Sequence, residues 1–136
     1  MIIYIAGKFT ARKRLLEASQ NFDLRQFGHI RASWLVNEED DDPTSSQKLV
    51  YAVRDQEEVM TADLLILDTL DVSETGGREV EWGMAIAQMA KRWLVGPARN
   101  VFHELANKKF TNWEEVHEHV RNENIRDWGH ARYRYE

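Results

Sequence analysis

The sequence has no cysteine, no long apolar run and no excess of positive charge, and each absence narrows what the protein can do. Without cysteine, disulfide bonds and thiolate chemistry are excluded, although the compartment is only weakly constrained. No apolar stretch resembles a secretory signal or a membrane span, so we expect a cytoplasmic protein without a membrane partner. A net charge of −5 argues against a broad surface for nucleic-acid polymers.

The composition is that of a globular domain. Of the 136 residues, 43% are hydrophobic and 30% are charged, which is enough apolar material for one core. We find no internal repeat and no low-complexity linker, and therefore expect a single domain over residues 1–136.

Apolar runs alternate with amphipathic stretches along the chain. Strands are predicted at 1–7, 30–34, 62–68 and 92–95, and helices near 10–27, 44–59, 77–90, 101–107 and 111–121. Predicted boundary signals are Thr10 as an N-cap, Gly28 as a stop, and capping boxes at Thr44/Gln47 and Thr111/Glu114. The inner face of the 44–59 helix is predicted to carry Leu49, Val50, Val53 and Val59. This alternation predicts an α/β three-layer sandwich with a parallel sheet of about five strands.

The stretch from Gly76 to Ala85 follows an apolar strand and reads as a loop that opens a helix. Its glycines would allow a ligand to approach the backbone closely, and the helix start favours anions. Glu81 lies about one turn into the helix, so we expect an ionised carboxylate at the mouth of a pocket. An ordinary exposed glutamate is about equally compatible with the spacing. Glu79 is a second candidate for this position. Because the two glutamates are two residues apart in a helix, their side chains lie on nearly opposite faces, and only one of them can face the site.

Right-handed crossovers would bring the loops after Gly7, Asp68 and Val95 to one edge of the sheet, where open α/β sheets bind ligands. Asp68 would bind a sugar hydroxyl or pass a proton, or it would simply form the turn. Tyr4 would orient Glu81 through its hydroxyl, or it would be a buried tyrosine with another acceptor. These three side chains are the catalytic candidates.

Other charged groups indicate a function less clearly. A basic cluster follows the first strand and consists of Lys8, Arg12, Lys13 and Arg14. It would either hold a phosphate or form a solvated helix start. His117 and His119 make a poor metal pair, and the acidic loop at 38–42 lacks an EF-hand pattern, so we predict neither metal nor cofactor. The tail at 124–136 interleaves aromatic and basic residues, which favours docking on the parent or a neighbouring subunit over stacking on nucleic acid.

The chain resembles the nucleoside 2-deoxyribosyltransferase-like family, in particular a small phage and bacterial branch. The resemblance rests on Ile3-Tyr4-Ile5-Ala6-Gly7, on Ala62 to Asp68 and on Gly77-Arg78-Glu79-Val80-Glu81-Trp82-Gly83-Met84-Ala85. Two further elements match the branch, Ser33-Trp34-Leu35 and the Gly-Pro-x-x-Asn-Val-Phe-His segment from Gly96 to His103.

This resemblance implies a flavodoxin-like (Rossmann-like) fold, N-glycosidic bond chemistry and a homodimer or higher homo-oligomer. It makes Glu81 the nucleophile, Tyr4 its positioning residue and Asp68 a contact of the nucleoside. We assign the remaining substrate contacts to Gly7, Lys8, Gly76, Gly77, Arg78 and Asn100. Asn100 is the candidate for an amide borrowed from a second subunit. Thr75 stands where the family commonly has an aspartate, and Arg78 stands where a small residue is common.

We therefore expect an enzyme, a deoxyribosyltransferase or N-glycosidase, that cleaves or transfers the N-glycosidic bond of a 2′-deoxynucleoside or deoxynucleotide. Its glutamate would form a deoxyribosyl-enzyme intermediate. The alternatives are a nucleoside 5′-monophosphate N-glycosidase with the basic residues on the phosphate, a nucleotide-binding sensor without turnover, and an interaction protein that uses its aromatic tail.

Overall fold

The computed structural model describes residues 1–37, 39, 40 and 42–134, with side chains described as far as residue 127. Five parallel strands form one sheet in the order β2-β1-β3-β4-β5. They are β1 (Ile2–Ala6), β2 (His29–Ile30), β3 (Leu64–Asp68), β4 (Lys91–Val95) and β5 (Lys108–Phe110). The predicted α/β architecture with a parallel, flavodoxin-like sheet is confirmed.

Helices cover both faces of the sheet. They are α1 (Arg12–Ser19), α2 (Phe22–Phe27), α3 (Ser45–Met60), α4 (Gly77–Ala87) and α5 (Trp113–Arg134), with short 3-10 helices at Phe9–Ala11, Ser33–Leu35 and Val101–Leu105. Helix α3 packs against α4, and α2 packs against α5. All five residues of β3 are buried between these layers, as expected for a continuous apolar strand of a parallel sheet.

The strand order reverses direction between β1 and β3, because the chain first adds β2 on one side of β1 and then β3 on the other. Tyr4 pairs with Leu65 and Ala6 with Leu67 across this junction. At such a reversal the two adjoining loops diverge and leave a crevice beyond the carboxyl ends of the strands. For this strand order the rule predicts a ligand site above β1 and β3, next to the amino-terminal end of α4.

The second predicted strand is wrong over most of its length. Only His29 and Ile30 pair with β1, and Ser33–Leu35 forms a 3-10 helix. The alternation of apolar and polar residues there has a different cause. The indole Nε1 of Trp34 donates to the Ile5 carbonyl (2.8 Å), while Ser33 binds Glu58, so the chain folds over the end of β1 instead of extending along it.

The first predicted helix is two helices that break between α1 and α2. Thr10 lies inside a 3-10 helix and is not an N-cap. The break comes from Asn21, whose side-chain oxygen accepts from Leu24 N–H (3.1 Å) and so caps a new helix. Gly28 ends α2 as predicted.

Two further predictions concern helix faces and caps. The Thr44/Gln47 capping box is confirmed. Of the predicted inner face of α3, Val59 is buried as expected, but Leu49, Val50 and Val53 are 65%, 63% and 52% exposed, so that prediction is wrong for these three residues. The cap of α5 lies one residue later than predicted, at Asn112, which accepts from Glu115 N–H.

No helix in the described part of the chain is long and apolar enough to cross a membrane. Several predictions concern side chains outside the described residues. These are the tail residues Trp128, Arg132, Tyr133, Arg134 and Tyr135, and Glu38 and Asp41 of the acidic loop.

Candidate active site

Helix α4 directs two carboxylates to opposite sides. It begins at Gly77, so Glu79 and Glu81 are separated by two residues, or about 200° of rotation. Glu81 faces β1, where it meets Tyr4. Glu79 faces the segment before β5, where it meets His103 and Asn100. Only one of the two can therefore serve a site above β1, as the helical spacing predicts.

Tyr4 and Glu81 form the centre of the candidate site. Tyr4 is the third residue of β1 and is fully buried, and its hydroxyl donates a hydrogen bond to Glu81 Oε2. Burial, and then the charge of Glu81, raise the pKa of the Tyr4 phenol, so this group stays protonated and remains a donor. The phenol therefore fixes the orientation of one carboxylate oxygen, and Glu81 keeps some exposure to solvent.

The expectation that the helix start holds Glu81 ionised is wrong. Burial raises the pKa of Glu81 to about 8, and the hydrogen bond from Tyr4 lowers it only in part. Glu81 is the fifth residue of α4, beyond the first turn in which the helix dipole acts strongly. Among the neighbouring charges, Asp55 raises this pKa further, Arg54 lowers it and Glu58 raises it.

Asp55 is the neighbour that the sequence analysis missed. This carboxylate lies half-buried on α3 and accepts from Arg54 Nε (3.0 Å) and Nη2 (2.8 Å). Burial raises its pKa, Arg54 lowers it, and the charges of Glu39 and Glu58 raise it, with a net increase. A carboxyl group with a raised pKa beside Glu81 is a candidate proton donor.

A signal for this neighbour was present in the spacing. Asp55, Glu58 and Val59 stand at i, i+3 and i+4, so they share one face of α3. Glu58 and Val59 are 4% and 0% exposed, which identifies that face as the buried one. The predicted inner face was chosen from apolar residues alone, so it included Val59 correctly but placed Leu49, Val50 and Val53 inward in error.

Asp68 is placed differently from the prediction. It is 1% exposed and accepts four hydrogen bonds, from Arg14 Nη1 (2.9 Å) and Nη2 (3.2 Å), from Trp113 Nε1 (2.7 Å) and from Leu70 N–H (3.0 Å). Both carboxylate oxygens are thus occupied by the protein. The nearby charges that act most strongly on Glu81 come from α3 and not from the end of β3.

Arg78 also points inward. Only 5% of it is exposed, and its Nη1 donates to the Asp68 carbonyl (3.2 Å) and the Asp71 carbonyl (2.8 Å). Arg14 is shared between Asp68 and Asp71 (3.0 Å), and Arg12 donates to the Asn37 carbonyl (2.5 Å). The three arginines proposed for a phosphate therefore bind the protein itself.

Comparison with known proteins adds to this geometry. No protein-family model and no curated protein matches the chain. A solved 2-deoxyribosyltransferase from the psychrotolerant bacterium Bacillus psychrosaccharolyticus is similar to it, with a TM-score of 0.68 and 15% identity over 86% of this chain and 90% of that one. The chain has the fold of a 2-deoxyribosyltransferase.

Two more solved structures share this 2-deoxyribosyltransferase fold. A conserved protein from Enterococcus faecalis V583 has a TM-score of 0.62 and 17% identity over 90% of this chain and 98% of that one. A CMP N-glycosidase from Clostridium botulinum has a TM-score of 0.55 and 15% identity over 88% of this chain and 98% of that one. At these identities the likeness establishes the fold, and the resemblance inferred from the sequence is confirmed at that level.

Within the 2-deoxyribosyltransferase fold, the glycines near the site have different constraints. A Cβ added at Gly7 would lie 2.5 Å from Leu15 Cδ1, so a larger residue there would make the end of the Leu15 side chain move. A Cβ at Gly76 or Gly77 would meet no atom within 4 Å. Open space therefore adjoins the backbone at the start of α4. Glu79 N–H donates to the Gly76 carbonyl (3.1 Å), so the N–H groups of Gly77 and Arg78 are the ones in the first turn that could bind a ligand.

The far side of α4 holds a separate polar cluster around Glu79. Because His103 Nδ1 accepts from Arg99 N–H (2.9 Å), its proton lies on Nε2, which donates to Glu79 Oε2 (2.8 Å). The amide nitrogen of Asn100 also donates to Glu79 Oε2 (3.0 Å), and its oxygen accepts from Phe102 N–H (2.9 Å). Asn100 thus has both ends of its amide engaged within its own chain.

Proposed function

We propose that the chain cleaves or transfers the N-glycosidic bond of a 2′-deoxynucleoside or deoxynucleotide, with Glu81 as the nucleophile. The observation that carries the proposal is the hydrogen bond from the buried Tyr4 hydroxyl to the largely buried carboxylate of Glu81, whose pKa the charge of Asp55 raises further. The 2-deoxyribosyltransferase and the CMP N-glycosidase that share the fold act on the same class of bond, which supports it.

In the first step Glu81, in its ionised form, bonds through a carboxylate oxygen to the anomeric carbon of the sugar. The carbon–nitrogen bond to the base breaks, and its electron pair goes to the base nitrogen. We assign Asp55 as the acid that gives that nitrogen a proton, since burial raises its pKa. The transition state carries positive charge on the sugar, and the carboxylates of Glu58 and Glu39 near Asp55 favour that charge.

In the second step an acceptor attacks the anomeric carbon and releases Glu81. The acceptor is another base in a transferase and water in a hydrolase, and Asp55, now ionised, takes its proton. Throughout, Tyr4 acts as the positioning residue because its hydroxyl holds one oxygen of Glu81 and leaves the other for the sugar.

Asp68 and Arg78 have supporting roles in this proposal. Asp68 joins Arg14 on α1 to Trp113 on α5, and Arg78 binds the backbone of the loop that follows β3. Together they fix the loop that leads to α4. We place the ligand body in the open space beside Gly76 and Gly77, with Lys8 at the rim, and leave Gly7 and Arg78 out of the substrate contacts.

We favour a free nucleoside over a nucleoside 5′-monophosphate. A phosphate would need arginines that are already bound within the protein, since Arg14 pairs with Asp68 and Asp71 and Arg78 binds two carbonyls. The monophosphate N-glycosidase is the second candidate, supported by the CMP N-glycosidase that has the same fold. Lys8 would then bind the phosphate.

We also propose that the chain forms a homo-oligomer through the exposed apolar face of α3. Leu49, Val50 and Val53 lie there, and Val80 of the adjoining α4 is 57% exposed. Such a contiguous apolar surface is typical of an interaction site, and a second copy would cover it symmetrically. Sedimentation of Val53→Glu beside the wild type tests this, because a charge in the interface should leave a monomer.

The decisive experiment exposes the protein to a panel of deoxynucleosides and their 5′-monophosphates, followed by mass spectrometry of the protein and chromatography of released base. We expect a pentosyl adduct on the wild type that Glu81→Ala does not form. Base exchange on adding a free base indicates a transferase, and base release alone indicates a hydrolase. Binding without adduct or release, over long incubation, would refute the catalytic proposal and leave a nucleotide sensor.

A further inference from the structure

A second cavity lies along the outer edge of the sheet. It has a volume of about 530 Å³ and is bounded by the end of α1, by α2, by the segment from Gly28 to Val36 and by Glu58 of α3. None of Tyr4, Asp55 and Glu81 lines it. The volume is in the range of small-molecule pockets, roughly 300–1,000 Å³. Its walls include the apolar side chains of Leu16 and Leu35.

The charges that line this cavity are mainly positive. Arg25 and Arg31 line it beside His29, and the described residues give the side chains of Arg25 and His29 no hydrogen-bond or ion-pair partner. Arg31 donates to Thr61 Oγ1 (2.8 Å) and remains 42% exposed at its side chain. In a chain whose net charge is −5, this grouping of cations around one concave surface is unusual and would attract an anion.

The one carboxylate in the lining is already satisfied. Glu58 is 4% exposed and accepts from both Ser33 N–H (3.0 Å) and Ser33 Oγ (2.7 Å). Arg31 Nε lies 3.9 Å from Glu58 Oε2, beyond hydrogen-bond distance. Glu58 therefore holds the 3-10 helix in place and neutralises the cavity only in part.

The sheet edge supplies a backbone donor. The N–H groups of His29 and Arg31 both donate toward β1, to Met1 (2.9 Å) and Ile3 (2.8 Å) carbonyls. Because successive N–H groups of a strand point to opposite sides, that of Ile30 points away from β1. Strand β2 is the outermost strand, so this N–H faces the cavity at the open edge.

We propose that this cavity binds a small phosphorylated molecule, with the phosphate between Arg25 and Arg31 and near the Ile30 N–H. Arginine matches phosphate oxygens with paired donors, and the imidazole of His29 adds a ring N–H donor. Leu16 and Leu35 provide the apolar wall for the body of the ligand. Tyr4, Asp55 and Glu81 do not line this cavity, so the proposal does not depend on the catalytic one, although Glu58 lies near both sites.

The test is calorimetric titration with inorganic phosphate and with a nucleoside 5′-monophosphate, using the uncharged nucleoside as the comparison ligand. Arg25→Gln and Arg31→Gln are each expected to weaken phosphate binding about tenfold or more. Arg126→Gln, at an exposed arginine paired with Glu123, is the matched control and should bind as the wild type does. The Ile30 amide resonance should shift on adding phosphate to the wild type.

Other outcomes would overturn the proposal. Unchanged affinity in Arg25→Gln would do so, and so would an equal loss in Arg126→Gln. If Glu81→Gln alters phosphate binding while Arg25→Gln leaves it unchanged, the anion occupies the catalytic crevice instead. Thermal midpoints show whether Arg31→Gln is unstable. In that case Arg25→Gln decides the matter, because the side chain of Arg25 has no hydrogen bond or ion pair to lose among the described residues.

Discussion

The two faces of α4 carry the same residue type in opposite electrostatic states. Glu81 is buried against Tyr4 and near Asp55, and its pKa is raised to about 8. Glu79, two residues earlier, is about a third exposed; burial alone would raise its pKa, but the hydrogen bonds from His103 and Asn100 outweigh burial and lower it. The helix start is common to both, so it does not explain the difference.

The two glutamates differ in how far hydrogen-bond donors compensate for the cost of burying the carboxylate. Glu79 receives two hydrogen bonds on one oxygen and has Arg78 nearby, so its charge is stabilised and its reactivity is low. Glu81 receives one hydrogen bond, from a neutral phenol, and has further carboxylates as neighbours. A carboxylate with few compensating partners is the better nucleophile once it is ionised. The same lack of partners lowers the free energy of unfolding.

The largest effect should come from removing the two carboxylates separately. Glu81→Gln should reduce base release by a factor on the order of 10³ or more, because the covalent step loses its nucleophile. Glu79→Gln, the matched variant on the same helix, should keep base release within about tenfold of the wild type. Initial rates measured by chromatography of the free base compare the two. A larger loss in Glu79→Gln than in Glu81→Gln would move the active site to the other face of α4.

The next largest effect should be on how the free energy of unfolding depends on pH, and its sign should differ between Glu81 and Glu79. The folded-state pKa of Glu81, about 8, exceeds its ordinary 4.5, so folding retains a proton between these values and the free energy of unfolding falls as pH rises through them. The glutamine in Glu81→Gln does not titrate. The free energy of unfolding of this variant should therefore rise relative to that of the wild type from pH 5 to pH 9, by on the order of 4 kcal/mol at most. Chemical denaturation at several pH values measures it.

Glu79→Gln supplies the opposite case. Its folded-state pKa is lowered, so the wild type gains stability from this group above the ordinary pKa and loses it as pH falls through the folded value. The variant should therefore be less stable than the wild type at pH 7, and the deficit should shrink in acid. The same pH trend in both variants would contradict the contrast between the two faces.

Much of the fold could be predicted because its signals are local. The apolar run of β3 and the capping box at Thr44 specify a buried strand and a helix start without reference to the rest of the chain. The strand predicted at 30–34 failed because its residues bind distant groups. Ser33 binds Glu58 and Trp34 binds the Ile5 carbonyl, and these contacts, 25 and 29 residues apart in sequence, override local alternation.

The candidate site was predictable only in part for the same reason. The Tyr4–Glu81 contact and the opposite facing of Glu79 follow from strand order and helical spacing. The occupation of Asp68 by Arg14 and Trp113 depends on packing between α1 and α5, which no motif encodes. Asp55 was missed because a charged stretch of helix reads as solvated, although half of that face of α3 is buried.

A smaller effect should come from the phenol that Glu81 faces. In Tyr4→Phe the hydrogen bond that lowers the pKa of Glu81 is lost, so that pKa should rise above about 8. Base release at pH 7 should fall about tenfold, because a smaller fraction of Glu81 is ionised, and should recover in part at pH 9. The pH–rate profiles of both proteins measure the shift. A uniform loss at every pH would indicate that the phenol acts on the substrate and not on the carboxylate.

The smallest effect should come from Asn100, on the Glu79 side. Asn100→Ala removes the cap on Phe102 N–H and one hydrogen bond to Glu79, which should lower stability by about 1 kcal/mol. Base release should stay within about threefold, because this amide is engaged in its own chain and faces away from Glu81. Mixing Asn100→Ala with Glu81→Gln gives the sharper result. If Asn100 served a neighbouring subunit, Asn100→Ala alone would be strongly impaired, and the mixture would recover activity in oligomers that pair an intact Glu81 with an intact Asn100. If Asn100→Ala is only slightly impaired and mixing it with Glu81→Gln restores no activity, Asn100 does not serve the Glu81 site of a neighbouring subunit.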